Sequence, residues 1–125
     1  MIVDDAALLL ETLESFFRRQ EGFDVVGTAA TGHEALERVP TLKPDLILMD
    51  LHMPVMDGLE ATRKIKEQPQ PPVVIMFTLE DSKHLRAAAK TAGADGFVPK
   101  SGKMLKPLRA TIKRAFPKAQ MTPWR

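Results

Sequence analysis

Five polar residues that could do chemistry each follow a short apolar run of this sequence. Asp4 and Asp5 come after "MIV", Asp50 after "LILM", Thr78 after "VVIMF" and Lys100 after "FVP". A carboxylate at the end of a buried strand is held rigidly for a reaction or for a metal ion. Close carboxylates repel one another, so three of them stay ionised together only with a cation among them. Oxygen ligands in an incomplete protein cage suit Mg²⁺, which keeps its waters and accepts phosphate oxygens.

A hydroxyl and an ammonium group complete the parts of a phosphoryl-transfer site. Catalysis of this transfer is mostly positioning and charge neutralisation, which Thr78 and Lys100 can supply. The sequence has no cysteine, no Ser–His pair and no Gly-rich phosphate loop, so the available nucleophile is a carboxylate. Asp50 is central in the predicted cluster and is the natural candidate, with an aspartyl phosphate as the product. Each residue alone could instead cap the next helix, but that explanation is poor for all of them together.

The apolar runs themselves predict five buried strands. They are continuous rather than alternating, which is typical of strands covered on both faces of a parallel sheet. Successive strand ends lie 22 to 28 residues apart, which leaves room for one helix and two connections, as a right-handed crossover requires. We predict strands at residues 1–5, 23–28, 45–50, 72–78 and 95–100.

The segments between these strands carry apolar residues at helical spacing. The fold class is therefore α/β, a (βα)5 domain of three layers, in which ligands bind beyond the carboxyl ends of the strands. We predict helices at about 6–20, around Ala35–Val39 with an end set by Pro40 and Pro44, from Asp57-Gly58 onward, from a cap at Asp81 or Ser82 to Gly93, and from Leu105 to Phe116 with an end at Pro117.

The composition indicates one soluble domain. The chain has 125 residues, of which 44% are hydrophobic and 27% charged. No apolar run approaches the ~18 residues of a membrane span, and no signal peptide is visible. The absence of cysteine excludes disulfides and thiolate metal sites and fits a reducing compartment. Charge is uneven: residues 1–81 carry 7 basic and 15 acidic groups, whereas residues 82–125 carry 11 basic groups and 1 acidic group.

Four segments together resemble the receiver domain of two-component response regulators. They are "VDD" (3–5), "DLILMDLHMPVMDGLEATRKIK" (45–66), "FT" (77–78) and "GADGFVPKSG" (93–102). The resemblance spans a receiver domain at residues 1–117 and leaves 118–125 as a tail or the start of a linker. It implies a flavodoxin-like fold with strand order 2-1-3-4-5. The "GFVPKSG" stretch is most similar to receivers joined to a C-terminal helix-turn-helix domain.

The resemblance also implies which residues bind metal and phosphate. Asp50 would accept the phosphoryl group from a phosphohistidine of a sensor histidine kinase. Asp5 and Asp50 would bind Mg²⁺ (or Mn²⁺) directly, together with the backbone carbonyl of His52. Asp4 would lie close to the ion and act through water.

Other residues of the resemblance would transmit the signal. Lys100 would contact the phosphoryl group, Thr78 would turn toward it, and Phe97 stands at the position of the family's aromatic switch residue. The surface of the fourth helix, fifth strand and fifth helix would then change. Because residues 82–125 are basic, we expect this surface to bind an acidic partner or a second copy; the alternative is a solvated charged face that only aids solubility. The chain would act in the cytoplasm, away from membranes, in transcription regulation. DNA would be contacted only through an output domain that this sequence does not contain.

Two other functions are compatible with this fold. A phosphatase with an aspartyl nucleophile usually carries two acids one residue apart after the first strand, whereas Asp4 and Asp5 are adjacent. A phosphorylation-independent interaction module would need none of the polar residues, and the intact acid pair, Asp50, Thr78 and Lys100 argue against it. We therefore expect no enzyme activity beyond the chain's own phosphorylation and dephosphorylation.

Overall fold

A parallel sheet with helices on both faces forms the fold, as the sequence predicts. The computed structural model describes residues 1–116, and its strand order is β2-β1-β3-β4-β5. Each strand is followed by one helix, so neighbouring strands are joined by crossovers. The elements are β1 (Ile2–Val3), α1 (Ala7–Arg18), β2 (Thr28–Ala29), α2 (Gly32–Leu42), β3 (Leu46–Met49), α3 (Gly58–Lys66), β4 (Val73–Thr78), α4 (Lys83–Ala92), β5 (Gly96–Pro99) and α5 (Leu105–Ala115).

Two apolar clusters, one on each face of the sheet, hold the three layers together. Alternate residues of β3 and β4 point to opposite faces, so each central strand contributes to both clusters. One cluster joins the sheet to α2, α3 and α4 through Ala35, Ile65 and Ala89. The other joins it to α1 and α5 through Phe17 and Ile112. Burial on both faces explains why the strands are continuous apolar runs.

The second strand is much shorter than predicted. Residues 23–28 were expected to pair, but only Thr28–Ala29 do so, in register with Ile2 and Val3 of β1. Because Thr28 lies beside Ile2, residues 23–26 extend past Met1 and have no described residue of β1 beside them. Phe23 and Val25 are half-buried instead, and pack against the cluster on the α1 and α5 face.

Of the two prolines predicted to end the second helix, Pro40 lies inside it, so that part of the prediction is wrong, whereas the helix does stop before Pro44. Helix α2 continues to Leu42, and its C-cap residue Lys43 adopts a left-handed conformation with φ 47°. Pro40 has no N–H to donate, but the last turn is still closed by the Lys43 N–H, which donates to the Val39 carbonyl at 2.8 Å. The helix therefore tolerates proline near its C-terminal end.

Ser82, rather than Asp81, caps the fourth helix. Its hydroxyl accepts a hydrogen bond from the Leu85 N–H at 3.1 Å, and the helix ends at Gly93, which has φ 102°. The predicted stop at Pro117 and the segment 118–125 lie outside the described residues. Among residues 1–116, no helix is long and apolar enough to cross a membrane.

Candidate functional site

The acid pair that follows β1 has one buried and one exposed member. Asp4 is 2% exposed, and its Oδ1 accepts a hydrogen bond from the Ala6 N–H at 2.9 Å. The Asp4 N–H donates to the Ala29 carbonyl of β2 at 3.0 Å, which fixes the backbone on the other side. Asp5, the next residue, is exposed. The pair therefore presents one rigid interior carboxylate and one that solvent or an incoming ligand can reach.

The loop after β3 fixes the position of Asp50. This residue is 5% exposed, and its N–H donates to the Val3 carbonyl at 2.8 Å, which ties it to β1. The loop returns at Gly58, whose N–H donates to the Leu51 carbonyl at 2.9 Å. A Cβ at Gly58 would overlap the Asp50 carbonyl oxygen, so only glycine allows the chain this close. Asp57 then caps α3 by accepting from the Glu60 N–H.

Lys100 brings the two buried carboxylates into one charged cluster. Its Nζ lies 2.6 Å from Asp4 Oδ2 and 3.2 Å from Asp50 Oδ1, and its side chain is only 10% exposed. The Lys100 N–H donates to the Thr78 carbonyl at 2.6 Å, which attaches the start of the β5–α5 loop to the end of β4. The ammonium also lies 5.8 Å from the centre of the Phe77 ring. Residues at the ends of β1, β3, β4 and β5 thus lie together at one edge of the sheet.

The carboxylate cluster fits a hard cation. One oxygen each from Asp4, Asp5 and Asp50 lies within 4.8 Å of the others, and the first and last of these residues are buried. A single ammonium faces three carboxylates, which leaves a net negative charge. Burial, followed by the repulsion from Asp4, raises the pKa of Asp50, while Lys100 opposes this change. Oxygen-only ligands with an excess of negative charge are the donor set that Mg²⁺ or Mn²⁺ accepts.

Thr78 has a buried hydroxyl without a partner. Its Oγ1 is fully buried, and no hydrogen-bond acceptor or donor within residues 1–116 reaches it. A buried hydroxyl without a partner costs roughly 1–3 kcal/mol. The sequence predicted that Thr78 would stand at the carboxyl edge of the sheet, where it lies, but could not reveal that its hydroxyl is unbonded.

Two exposed side chains meet at the rim of the site. The His52 ring, two residues after Asp50, lies 3.1 Å from a carboxylate oxygen of Glu80, two residues after Thr78. Both side chains are more than half exposed. The predicted use of the His52 backbone carbonyl as a metal ligand stays a prediction.

The predicted switch residue Phe97 lies on β5 and is half-buried. Its ring packs against the apolar cluster on the α2, α3 and α4 face, and the Arg86 guanidinium carbon lies 4.8 Å from the ring centre. Sequence reasoning missed this contact. The sequence offered one signal for it: an acidic residue, Asp81, and a basic residue, Arg86, lie on either side of the helix cap Ser82 and could form an ion pair.

Comparison with known proteins decides the family. Residues 1–113 match the response regulator receiver domain. This chain is a member of the response regulator receiver family. Receiver domains are mostly non-enzymatic signalling modules that interact with histidine kinases and normally bind Mg²⁺ at an acidic pocket. The receiver domain described here has a cluster of three aspartates, Asp4, Asp5 and Asp50.

Related receivers occur in regulators with different outputs. The receiver is 41% identical over 98 residues to the uncharacterized transcriptional regulatory protein YhcZ of Bacillus subtilis, covering 78% of this chain and 45% of that one. It is 37% identical to a protein-glutamate methylesterase/protein-glutamine glutaminase of Geobacillus kaustophilus, covering 80% of this chain and 29% of that one. The chain thus spans less than half the length of these two curated relatives.

A solved receiver structure has the same fold. The signal receiver domain of the putative response regulator NarL from Mycobacterium tuberculosis superposes with a TM-score of 0.83 at 28% identity. The match covers 91% of this chain and 92% of that one. The flavodoxin-like strand order implied by the resemblance is therefore confirmed.

The raised pKa of Asp50 predicts that Asp50→Asn stabilises the receiver at neutral pH. The folded state holds the Asp50 proton more tightly than the unfolded chain does, so the free energy of unfolding falls as pH rises from 3.8, the ordinary pKa of the carboxyl group, to the raised pKa. Asparagine removes this penalty, and Lys100 keeps its partner Asp4. We expect a gain in the free energy of unfolding at neutral pH, measured by urea unfolding without divalent cations.

This gain should disappear when the pH is well below 3.8, the ordinary pKa of the carboxyl group, because Asp50 is then protonated in both states. Asp57→Asn is the matched control, since asparagine also caps helices and Asp57 is exposed. An equal gain at both pH values, or a loss of stability at neutral pH, would contradict the assignment of the raised pKa to Asp50.

Proposed function

We propose that this receiver is a phosphorylation-dependent switch in which Asp50 accepts a phosphoryl group from a phosphohistidine of a sensor histidine kinase. The observation that carries the proposal is the buried ion pair of Lys100 with Asp4 and Asp50 at the carboxyl edge of the sheet. A carboxylate beside an ammonium and further acids has the parts that phosphoryl transfer needs.

In the proposed reaction, an Asp50 carboxylate oxygen attacks the phosphorus atom. The bond between phosphorus and the histidine nitrogen of the donor breaks, and its electron pair returns to the imidazole ring, which takes up a proton. Lys100 Nζ, already 3.2 Å from Asp50 Oδ1, neutralises the charge that the phosphoryl group brings. Attack by water on the same phosphorus returns Asp50 to its starting state, so the chain catalyses only its own phosphorylation and dephosphorylation.

Asp5, Asp50 and the His52 carbonyl would hold Mg²⁺ (or Mn²⁺), with Asp4 acting through water. When bound, the ion supplies charge neutralisation for the phosphate oxygens. The residues support this proposal because one exposed and two buried carboxylates face a single ammonium. Asp5 is the accessible member and would be reached first.

Phosphorylation would be transmitted through Thr78 and Phe97 to the surface formed by α4, β5 and α5. The unpaired Thr78 hydroxyl would gain an acceptor in the phosphoryl group, and Phe97 would move with it. This surface would bind an acidic partner or a second copy of the chain. The basic side chains proposed for it lie on α4 and α5: Lys83, Arg86, Lys90, Lys106, Arg109, Lys113 and Arg114. Lys106, Arg109 and Lys113 line a pocket together with Phe16 and Gln20, so they face the α1 side of α5.

The biological setting is proposed from the family and its relatives. Residues 1–117 would form the receiver, and 118–125 a tail or the start of a linker. The relatives include transcriptional regulatory proteins, so we propose a cytoplasmic role in transcription regulation, with DNA bound only by a separate helix-turn-helix output domain. No contact with membranes is proposed.

Thr78→Ala should leave phosphorylation intact and uncouple the response. The substitution removes a hydroxyl that has no partner among residues 1–116, so it should not destabilise the fold by loss of a bond. A hydrogen bond to a charged group contributes about 1.5–3 kcal/mol, so phosphorylation-dependent association should weaken roughly tenfold or more. Sedimentation velocity of the labelled chain, with and without a phosphodonor, measures this.

Thr62→Ala is the matched control, because Thr62 is another buried threonine whose hydroxyl contacts Met76 Sδ at 3.6 Å within the core. This variant should associate like the wild type. If Thr78→Ala associates on phosphorylation as strongly as the control, the signal does not pass through Thr78.

A further inference from the structure

An ion pair at the start of α4 covers the ring of Phe97. Arg86 forms a two-pronged contact with Asp81: Nε lies 2.7 Å from Oδ1 and Nη2 lies 3.1 Å from Oδ2. The same guanidinium stands over the Phe97 ring, 4.8 Å from its centre. A planar guanidinium can bond a carboxylate through its edge and contact an aromatic ring with its face, which a lysine cannot do.

Asp81, which binds the Arg86 guanidinium, lies in the loop between β4 and α4. This loop starts directly after Thr78, and Asp81 precedes the helix cap Ser82. Phe97 lies on the neighbouring strand β5, three residues before Lys100, whose Nζ contacts Asp4 and Asp50. The Asp81–Arg86 pair therefore connects the loop after β4 to the aromatic ring on β5, across the end of α4.

We propose that Arg86, anchored by Asp81, is a positioning residue that holds Phe97 in its present place until the loop after Thr78 moves. The proposal rests on the proposed function, in which Phe97 changes position on phosphorylation. A shift of the loop toward Asp50 displaces Asp81, and the guanidinium then loses the carboxylate that orients it over the ring. The contact of Arg86 with Phe97 therefore weakens only when Asp50 is phosphorylated. In the unphosphorylated receiver, the Asp81–Arg86 pair suppresses the movement of Phe97.

Both contacts are exposed at the surface, and their effect is correspondingly moderate. About half of each of the Arg86 and Asp81 side chains is accessible to solvent. An exposed cation–π contact corresponds to about a two- to fivefold change in an equilibrium constant. We therefore expect Arg86→Met to increase the population of the alternative Phe97 position by that factor. Arg86→Lys should behave like methionine, because it keeps the charge and loses the planar fork.

The first test observes the ring without any phosphodonor or added metal. The ¹⁹F resonance of 4-fluorophenylalanine placed at Phe97 should shift or broaden in Arg86→Met and, in the same direction, in Asp81→Asn. Lys103→Met is the control, since it removes one positive charge from an exposed residue of the loop between β5 and α5. A resonance in Arg86→Met that matches the wild type and the control would overturn the proposal.

The second test uses the rate of labelling by acetyl phosphate with Mg²⁺. A larger population of the switched position should speed labelling of Arg86→Met by about two- to fivefold. Electrostatics alone predicts the opposite, because the variant attracts the anionic donor less well. The increase should vanish in a Phe97→Leu background, since the effect acts through the ring. A slower or unchanged rate, or an increase that persists without Phe97, would overturn the proposal. A wild type that takes up no label would instead contradict the proposed function, and the ¹⁹F test would still decide the role of Arg86.

Discussion

Asp50→Asn should abolish the uptake of a phosphoryl group from acetyl phosphate in the presence of Mg²⁺. The substitution replaces the only carboxylate of the cluster that follows β3 with an amide, which is a far weaker nucleophile. Folding should be preserved, because Lys100 keeps its 2.6 Å contact with Asp4 and the removal of a buried charge is stabilising. Intact-mass spectrometry of the wild type and the variant after the same incubation measures the uptake.

The matched control for this loss is Asp57→Asn. Asp57 lies on the same loop, is exposed, and caps α3 in a way that asparagine can reproduce. This control should take up label like the wild type. Labelling of Asp50→Asn at the wild-type rate would show that another residue accepts the phosphoryl group.

Lys100→Met should slow the same reaction by about 10²–10³-fold, the usual cost of losing one group that stabilises developing negative charge. Lys100 is the ammonium that contacts both buried carboxylates, and its removal leaves Asp4 and Asp50 to repel an anionic donor. Removing one partner of a buried ion pair also destabilises proteins by about 3–5 kcal/mol. The rate should therefore be measured at a temperature at which circular dichroism shows the variant to be folded.

Lys103→Met separates this local effect from a change in overall charge. Lys103 is exposed and lies three residues further along the chain. Its replacement by methionine removes the same formal charge as Lys100→Met, and it should leave the rate nearly unchanged. A Lys100→Met rate within tenfold of that of the control would remove Lys100 from the reaction.

The elements that carry the site could be predicted from local sequence patterns. The runs before Asp50 and Thr78 are continuous and apolar because β3 and β4 are covered on both faces, and such runs identify central strands. The second strand could not be predicted, because its length depends on the register with β1 and not on residues 23–28 themselves. The end of α2 follows from Pro44, because the residue before a proline avoids the right-handed α region and Lys43 is left-handed, but that the helix would pass through Pro40 could not be predicted.

The grouping of the site residues could be predicted, whereas their contacts could not. Asp4, Asp50 and Lys100 are far apart in sequence, and their common edge follows from a parallel sheet. That one Nζ lies between two carboxylates is a result of side-chain packing at that edge. The isolated Thr78 hydroxyl and the Arg86 contact with Phe97 likewise depend on neighbours from other elements.

The most direct test of the proposed function is to locate the phosphoryl group in the wild-type chain. The receiver would be incubated with acetyl phosphate and Mg²⁺, and the acyl phosphate would be trapped with hydroxylamine and located by peptide mass spectrometry. We predict one modified residue, Asp50, and no modification when Mg²⁺ is chelated before the donor is added. Modification of Asp4 or Asp5 in place of Asp50, or a chain that stays unmodified with Mg²⁺ present, would contradict the proposed switch.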